Sequence, residues 1–405
     1  MLRAVNGAAG EPESAPQSVL VVGRTLHEPF NEGTRVIGRN LALSAARSGH
    51  HAQIISLSEP GYADAAEVGG VPLHHVVRRP TRSPLGDYRA VPALAAAVRS
   101  AAAAGPVNRI HLIGVPLMLA AGVRRQGRTI VNHVVLHAAE TGLPATDRLR
   151  EMLGWRVADR WIDGHAATSE TVRAALENDG WNRAKLSVLE PAIDTDRFLR
   201  RTAEAHAPGT LRILYVGNIA PERFPAADVV LMLEGVAARS SLRLQLDVFA
   251  PITFRRDNAQ WAARFPRSAT VEVSVHLEDL TEQRKVEVYS GADVALYPFT
   301  RPVAVEPPLT ILETMACETV PVVTAPANRS AIVEDGRTGL TCRDRAALGT
   351  ALERFAGLSP AERAAMGHAA REAVVRRFGF GSIASDTELL WRRLDRAGGR
   401  MRGRR

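Results

Sequence analysis

The feature that most constrains this 405-residue chain is one alternation that runs through it twice. Short runs of Val, Ile and Leu, several ending in glycine, take turns with longer Ala- and Arg-rich stretches. SVLVVG (18–23) reads as a strand. TRVIGRNLALSAARS (34–48) then places Val36, Leu41 and Ala45 on one helical face, and Gly49 stops it. HAQIISL (51–57), RIHLIG (109–114), RTIVNHVVLH (128–137), HAAT (165–168) and KLSVL (185–189) read as further strands. Helices are expected over VPALAAAVRSAAAA, near 146–159 and from Ser169. The polar segment LRRTAEAHAPGT (199–210), with Pro208 and Gly209, breaks the rhythm and reads as a linker. RILYVG (212–217) restarts it. Strands follow at 243–250, 269–274, 292–298 and 319–324, and helices at 225–239, 281–290, 309–317, 344–356 and 360–376.

Strands that alternate with helices require a parallel sheet covered on both faces. The expectation is an α/β chain of two Rossmann-like, doubly wound domains facing each other across a cleft. Their expected bounds are 18–200 and 210–378, after a disordered leader at 1–17. A C-terminal helix at 379–396 and a basic tail at 397–405 complete the chain. Ligands of such sheets bind at the carboxyl ends of the strands, where the strand order reverses.

Composition narrows the function classes. No apolar run approaches the roughly 20 residues that span a bilayer, and the N-terminus lacks the apolar core of a signal peptide. Cys317 and Cys342 are too few for a disulfide framework and have no metal-ligand spacing. A cytoplasmic protein is expected. The net charge of +8 comes almost wholly from arginine, because the only lysines are Lys185 and Lys285. The basic tail suits peripheral contact with an anionic inner-membrane face. With no zinc-finger spacing and no aromatic-interleaved basic stripe, nucleic acid is not an expected partner. No phosphate-binding G-x-x-x-x-G-K-[ST] and no G-x-G-x-x-G after the first strand argue against an ATPase or a dehydrogenase. Composition is silent on oligomeric state.

The most chemically loaded stretch is EPPLTILETMACETVPVV (306–323). Pro307 and Pro308 preset the start of a helix, where the first N–H groups have no partner within the helix. Those groups, near Pro308, Leu309 and Thr310, and the helix dipole suit a diphosphate. Glu306 before the helix can accept from sugar hydroxyls, and Glu313 within it from a ribose diol. Equally, Glu306 can simply stabilise the dipole and Glu313 be a solvated helix residue.

These residues resemble the retaining GT-B glycosyltransferases of family 4, in which two glutamates separated by seven residues sit in a context close to EPFGLTILEAMACGTPVV. Along the chain NEGTRVIGRNLALSAARSGHHAQIISL, ATSETVRAAL, LEPAIDTDRF, LYVGNIAPER, YSGADVALYP and IVEDGRTGL resemble further family segments in the family's order, from about residue 18 to 395. The resemblance implies metal-independent transfer of a hexose, with retention, from a UDP- or GDP-linked sugar to a hydroxyl of a small molecule or glycan. A nucleotide sugar is then a co-substrate and no cofactor is expected. The resemblance places the donor diphosphate on Gly217, Asn218 and Arg223, the acceptor or donor phosphate beside Glu32, Gly33 and Thr34, and a histidine near the reacting sugar carbon. His133 and His137 are the candidates, His133 the first choice; with Glu306 they form the expected reaction centre. Asp194 and Asp196 mimic a metal-binding pair but fall in the family's turn before the linker, so they read as structural.

The departures from the family pattern are specific. Glu306 and Glu313 have six residues between them. Asn218 stands where the family has a phosphate-binding arginine, Arg223 where it has a lysine, and Ala331 where it often has a glutamate. They keep a second reading open: a catalytically weak homologue that binds nucleotide sugars or serves as a partner subunit.

Overall fold

The computed structural model describes residues 15–26, 28, 30, 32–59, 65–77, 86–124, 129–135, 155–201, 209–252, 257–302 and 305–402. The expected leader up to residue 14, His137, the expected helix over 146–154 and most of the linker lie outside the described residues. The N-terminal sheet has the order β3-β4-β2-β1-β5-β6-β7-β8. Its strands are β1 (Ser18–Arg24), β2 (His51–Ser58), β3 (Glu67–Val68), β4 (Val71–Val77), β5 (Arg109–Ile113), β6 (Thr129–Val134), β7 (Gly164–Ala167) and β8 (Leu186–Val188). Every pairing is parallel except β3 with β4. Leu20, Val21 and Val22 are fully buried, as a strand covered on both faces requires. Helices α1 (Gly33–Arg47), α2 (Val91–Ala104), α3 (Leu119–Val123) and α4 (Glu170–Asn178) supply the connections.

The second sheet is parallel throughout, in the order β11-β10-β9-β12-β13-β14. Its strands are β9 (Thr210–Val216), β10 (Arg243–Ala250), β11 (Val271–Leu277), β12 (Val294–Tyr297), β13 (Val320–Thr324) and β14 (Leu340–Cys342). Its helices are α5 (Ala226–Arg239), α6 (Asp257–Ala263), α7 (Glu282–Ser290), α8 (Leu309–Ala316), α9 (Leu348–Ala356) and α10 (Pro360–Phe378). The order reverses between β1 and β5 in one sheet and between β9 and β12 in the other.

Several elements depart from the sequence expectation, among them α3, α6 and β14, for which no element was expected. The β3–β4 ribbon was not anticipated: β4 buries Val71 and Leu73 but exposes Pro72 and His74, so half of it is polar. Strand β11 lies at 271–277, later than the expected 269–274, since Ser268 caps the turn ahead of it through the amides of Thr270 and Val271. The expected helix end at 396 is not a boundary, because α11 (Phe380–Arg402) runs past it; residues 403–405 of the expected tail lie outside the described residues.

Helix α11 lies on the N-terminal domain. Trp391 reaches His111, Arg109 forms a two-pronged pair with Asp395 (2.7 Å on each arm), and Arg393 reaches Ser187. The chain therefore crosses between domains twice, at 190–201 and at 378–380. The two crossings are tied together where the Ile193 amide donates to the Phe378 carbonyl. Arg371 of α10 binds the carbonyls of Thr195, Phe198 and Ala316, which pins the first crossing to the second domain.

Helix α8 ends in a left-handed residue, Glu318, at φ 59°. The amides of Glu318 and Thr319 return to the carbonyls of Met315 and Thr314, a bonding pattern that glycine serves best. A side chain in this region costs roughly 1 kcal/mol or more. Glu318→Gly is therefore expected to raise the urea midpoint by an amount equivalent to about 1 kcal/mol; a lower midpoint would mean that the pairing of Glu318 with His368 outweighs the backbone cost.

Candidate active site

Loops that follow the two reversal points meet at the domain boundary. Gly33 opens α1 directly after the first of them. A Cβ added there would lie 2.5 Å from Val305 and 3.6 Å from Leu309, both in the second domain. The glycine is thus needed for close approach between domains.

Next to Val305, Glu306 is only 3% exposed. Its amide donates to the Val135 carbonyl just past β6 (3.3 Å), and its carbonyl accepts from Thr168 Oγ1 after β7 (2.6 Å). Its Oε1 accepts from Ser330 (2.5 Å). The first glutamate is therefore held at the domain boundary by the N-terminal sheet, at the carboxyl ends of β6 and β7. Ser330 precedes Ala331, whose φ of 47° is left-handed. The Glu306–Pro307 bond is cis, and Pro308 occupies the N-cap position of α8.

Glu313 departs from the picture of a solvated helix residue. It is 1% exposed and points at α7. Its Oε1 accepts from Lys285 Nζ (3.3 Å) and its Oε2 from the Tyr289 hydroxyl (2.9 Å). Burial and the adjacent Glu313 carboxylate push the Tyr289 hydroxyl well above its ordinary range, so it stays a donor. Among the described residues each Glu313 oxygen accepts from one donor, which leaves each a second lone pair.

The loop after β9 carries Gly217, Asn218 and Arg223. Gly217 has φ 150°, where a side chain would press on the Tyr215 ring. The Asn218 carbonyl accepts from Tyr215 (2.6 Å), and its Oδ1 accepts from the Ala220 amide (3.1 Å). Asn218 thus shapes the turn and brings no charge. The Thr300 amide donates to the Glu222 carbonyl (2.9 Å), joining this turn to the segment after β12 that leads into α8. Arg223 is half-buried on the same turn, and Arg301 lies 3.6 Å from Glu222.

On the facing domain Glu32 is exposed, and Thr34 sits against Gly114 at the end of β5. Arg35, which sequence reasoning passed over, is buried in the first turn of α1, 3.4 Å from Glu32. Burial pushes its guanidinium down to about 10. No periodicity distinguishes it from the chain's many other arginines.

His133 is not placed as the sequence reading had it. It is 6% exposed, on the sheet face beneath α11, and bonded to His111 (2.7 Å). Trp391 Nε1 donates to His111 Nε2 (3.0 Å). Indole is only a donor and neutral imidazole donates through one nitrogen, so His111 Nδ1–H donates to His133 Nε2. Burial holds both rings neutral: His111 well below its ordinary value and His133 down to about 4. The physical reason is register, since His111 and His133 share one face of neighbouring strands. Asp194 and Asp196 both pair with Arg47, in keeping with a structural role.

The histidine pair makes stability pH-dependent. His133 titrates near 6.5 when unfolded and about 4 when folded, so the unfolded chain binds the extra proton first. Stability is then lost as pH falls from 6.5 to 4, by on the order of 3 kcal/mol. Urea unfolding at pH 7 and pH 4.5 is expected to show a smaller acid loss in His133→Gln than in the wild type; equal losses would contradict the assignment.

Comparison with known proteins gives two family models that match. "Glycosyl transferase 4-like domain" covers residues 32–192, and "Glycosyl transferases group 1" covers residues 210–357. A search of curated proteins returned no match. Among solved structures, sucrose-phosphate synthase from Thermosynechococcus elongatus is similar, with TM-score 0.71 and 18% identity over 94% of this chain and 100% of that one. Anabaena HepE, solved with UDP and glucose, has TM-score 0.65 and 15% identity over 91% and 98%. The catalytic domain of Arabidopsis thaliana starch synthase IV, bound to ADP and acarbose, has TM-score 0.65 and 14% identity over 94% and 100%.

Proposed function

Because this chain belongs to the GT-B glycosyltransferases, we propose that it moves a hexosyl group from a UDP- or GDP-linked sugar to a hydroxyl of a small molecule or glycan, with retention. One observation carries this reading. The strand-order reversal of the second sheet brings the Gly217–Arg223 turn beside the segment leading into α8, and the Gly33 loop closes over that helix's start. Similar structures solved with UDP-glucose or with ADP support a nucleotide diphosphate sugar as donor.

In this reading the diphosphate lies on the free N–H groups at Leu309 and Thr310, with Arg223 as its principal cation. Asn218 orders the turn. The ribose diol takes the remaining acceptor positions of Glu313, and the hexose hydroxyls meet Glu306. The acceptor approaches from the Glu32–Thr34 side. As the anomeric carbon separates from the diphosphate, charge builds on the leaving oxygens and the ring becomes oxocarbenium-like. Fixed dipoles and a guanidinium stabilise that charge without a metal ion, and closure of the domains keeps water out. His137 remains the candidate for the sugar's other side.

The absence of a charge at Asn218 favours the second reading, a weak or non-catalytic nucleotide-sugar binder. The two separate in a turnover assay with UDP-, GDP- and ADP-sugars, scored by the free nucleoside diphosphate released as the sugar passes to one of a panel of acceptors or to water. Turnover is expected, with an axial or equatorial anomeric proton matching that of the donor in the product's proton NMR spectrum. Arg223→Ala is expected to lower turnover by about 100-fold at unchanged melting temperature. Unchanged turnover in that variant would overturn the phosphate assignment, and binding without turnover for every donor would favour the second reading.

A further inference from the structure

Helix α7 carries Glu282, Lys285 and Tyr289 at i, i+3 and i+7, the spacing that lines one helical face. All three are buried, and all three have partners outside α7. Glu282 pairs with Arg39 of α1 and with Arg197 of the first crossing. Tyr289 donates to Glu313. Lys285 does both jobs: its Nζ donates to the Phe30 carbonyl of the N-terminal domain (3.2 Å) and to Glu313 Oε1 of α8 (3.3 Å). Phe30 lies three residues before Gly33, and its ring is covered by the Arg39 guanidinium at 4.3 Å.

The residue type is informative. All but two of the chain's 51 basic residues are arginine. Lysine is kept here, at a buried point where acceptors converge from two domains. A compact ammonium can aim separate protons at a carbonyl and a carboxylate on different elements, whereas a planar guanidinium fork is made for two acceptors in one plane.

We propose that Lys285 is a positioning residue that couples domain closure to the donor site. It fixes the Glu313 carboxylate only when the Phe30 loop is seated against the second domain. The role of Glu313 toward the ribose rests on the function proposed above, but the link between the domains does not. In an open arrangement the Phe30 carbonyl leaves, and one of the two bonds that hold the ammonium in place beside Glu313 goes with it. Closure over the acceptor therefore sets the donor-side geometry.

The experiment compares wild type, Lys285→Met, Lys285→Arg and Tyr289→Phe. With a donor that turns over, Lys285→Met is expected to lower kcat at least about tenfold, with a much smaller change in donor KM. Lys285→Arg is expected not to restore it. Tyr289→Phe, which loses the bond to Glu313 and leaves the Lys285 bond to the Phe30 carbonyl in place, is expected to act mainly on donor KM. A purely structural role would lower the melting temperature and leave kcat per folded molecule unchanged. Small-angle scattering without substrate gives a readout independent of activity, in which Lys285→Met is expected to have a larger radius of gyration than wild type. If no donor turns over even in wild type, the function fails and scattering alone decides the coupling. An unchanged radius of gyration would overturn the proposal, as would full rescue of kcat by arginine.

Discussion

The arrangement of the two domains depends on a buried ion cluster. Arg39 is 1% exposed, and its guanidinium binds Glu282 across the domain boundary, Asn40 Oδ1 within α1 (2.7 and 2.9 Å) and the face of Phe30. Glu282 also receives Arg197. Asn40 in turn donates to the Ala192 carbonyl (2.6 Å), at the start of the crossing segment. Charges removed from water are tolerated only when paired and hydrogen-bonded, and loss of one partner costs several kcal/mol. The cluster therefore adds less net stability than it adds selection. Its members come from α1, from α7 and from the first crossing, so paired charges hold α7 against α1.

Two other features share that placement. Gly33 leaves room for Val305 and Leu309, and the Glu306 backbone is held between the ends of β6 and β7. Glu306 lies at the domain boundary with its backbone anchored to one domain and its carboxylate to Ser330 in the other.

Much of this was readable in advance, for physical reasons. Strands buried on both faces are continuous Val/Ile/Leu runs, so β1, β2, β5 and β9 stand out. Prolines preset the start of α8, and the Gly33 turn carries its own signal in the missing side chain. What was not readable depends on distant pairing. His133 looks like any histidine near a strand end, and only the parallel register with β5 sets it on His111. Trp391, 280 residues further on, completes that chain. Glu313 was legible as a glutamate on a helix, but its partners Lys285 and Tyr289 come from a neighbouring helix whose rotation the sequence does not state. The half-polar β4 was hidden by its exposed Pro72 and His74.

In the proposed reading the second domain holds a nucleoside diphosphate between the Gly217–Arg223 turn and the start of α8, and the first domain closes over it. Hydrogen exchange read peptide by peptide, with and without UDP, GDP and ADP, tests this most directly. One of the three nucleotides is expected to slow exchange at 217–224 and 309–316, with a further slowing at 30–40 as the domains close. Exchange unchanged in both donor-side segments, with each nucleotide at saturating concentration, would contradict it.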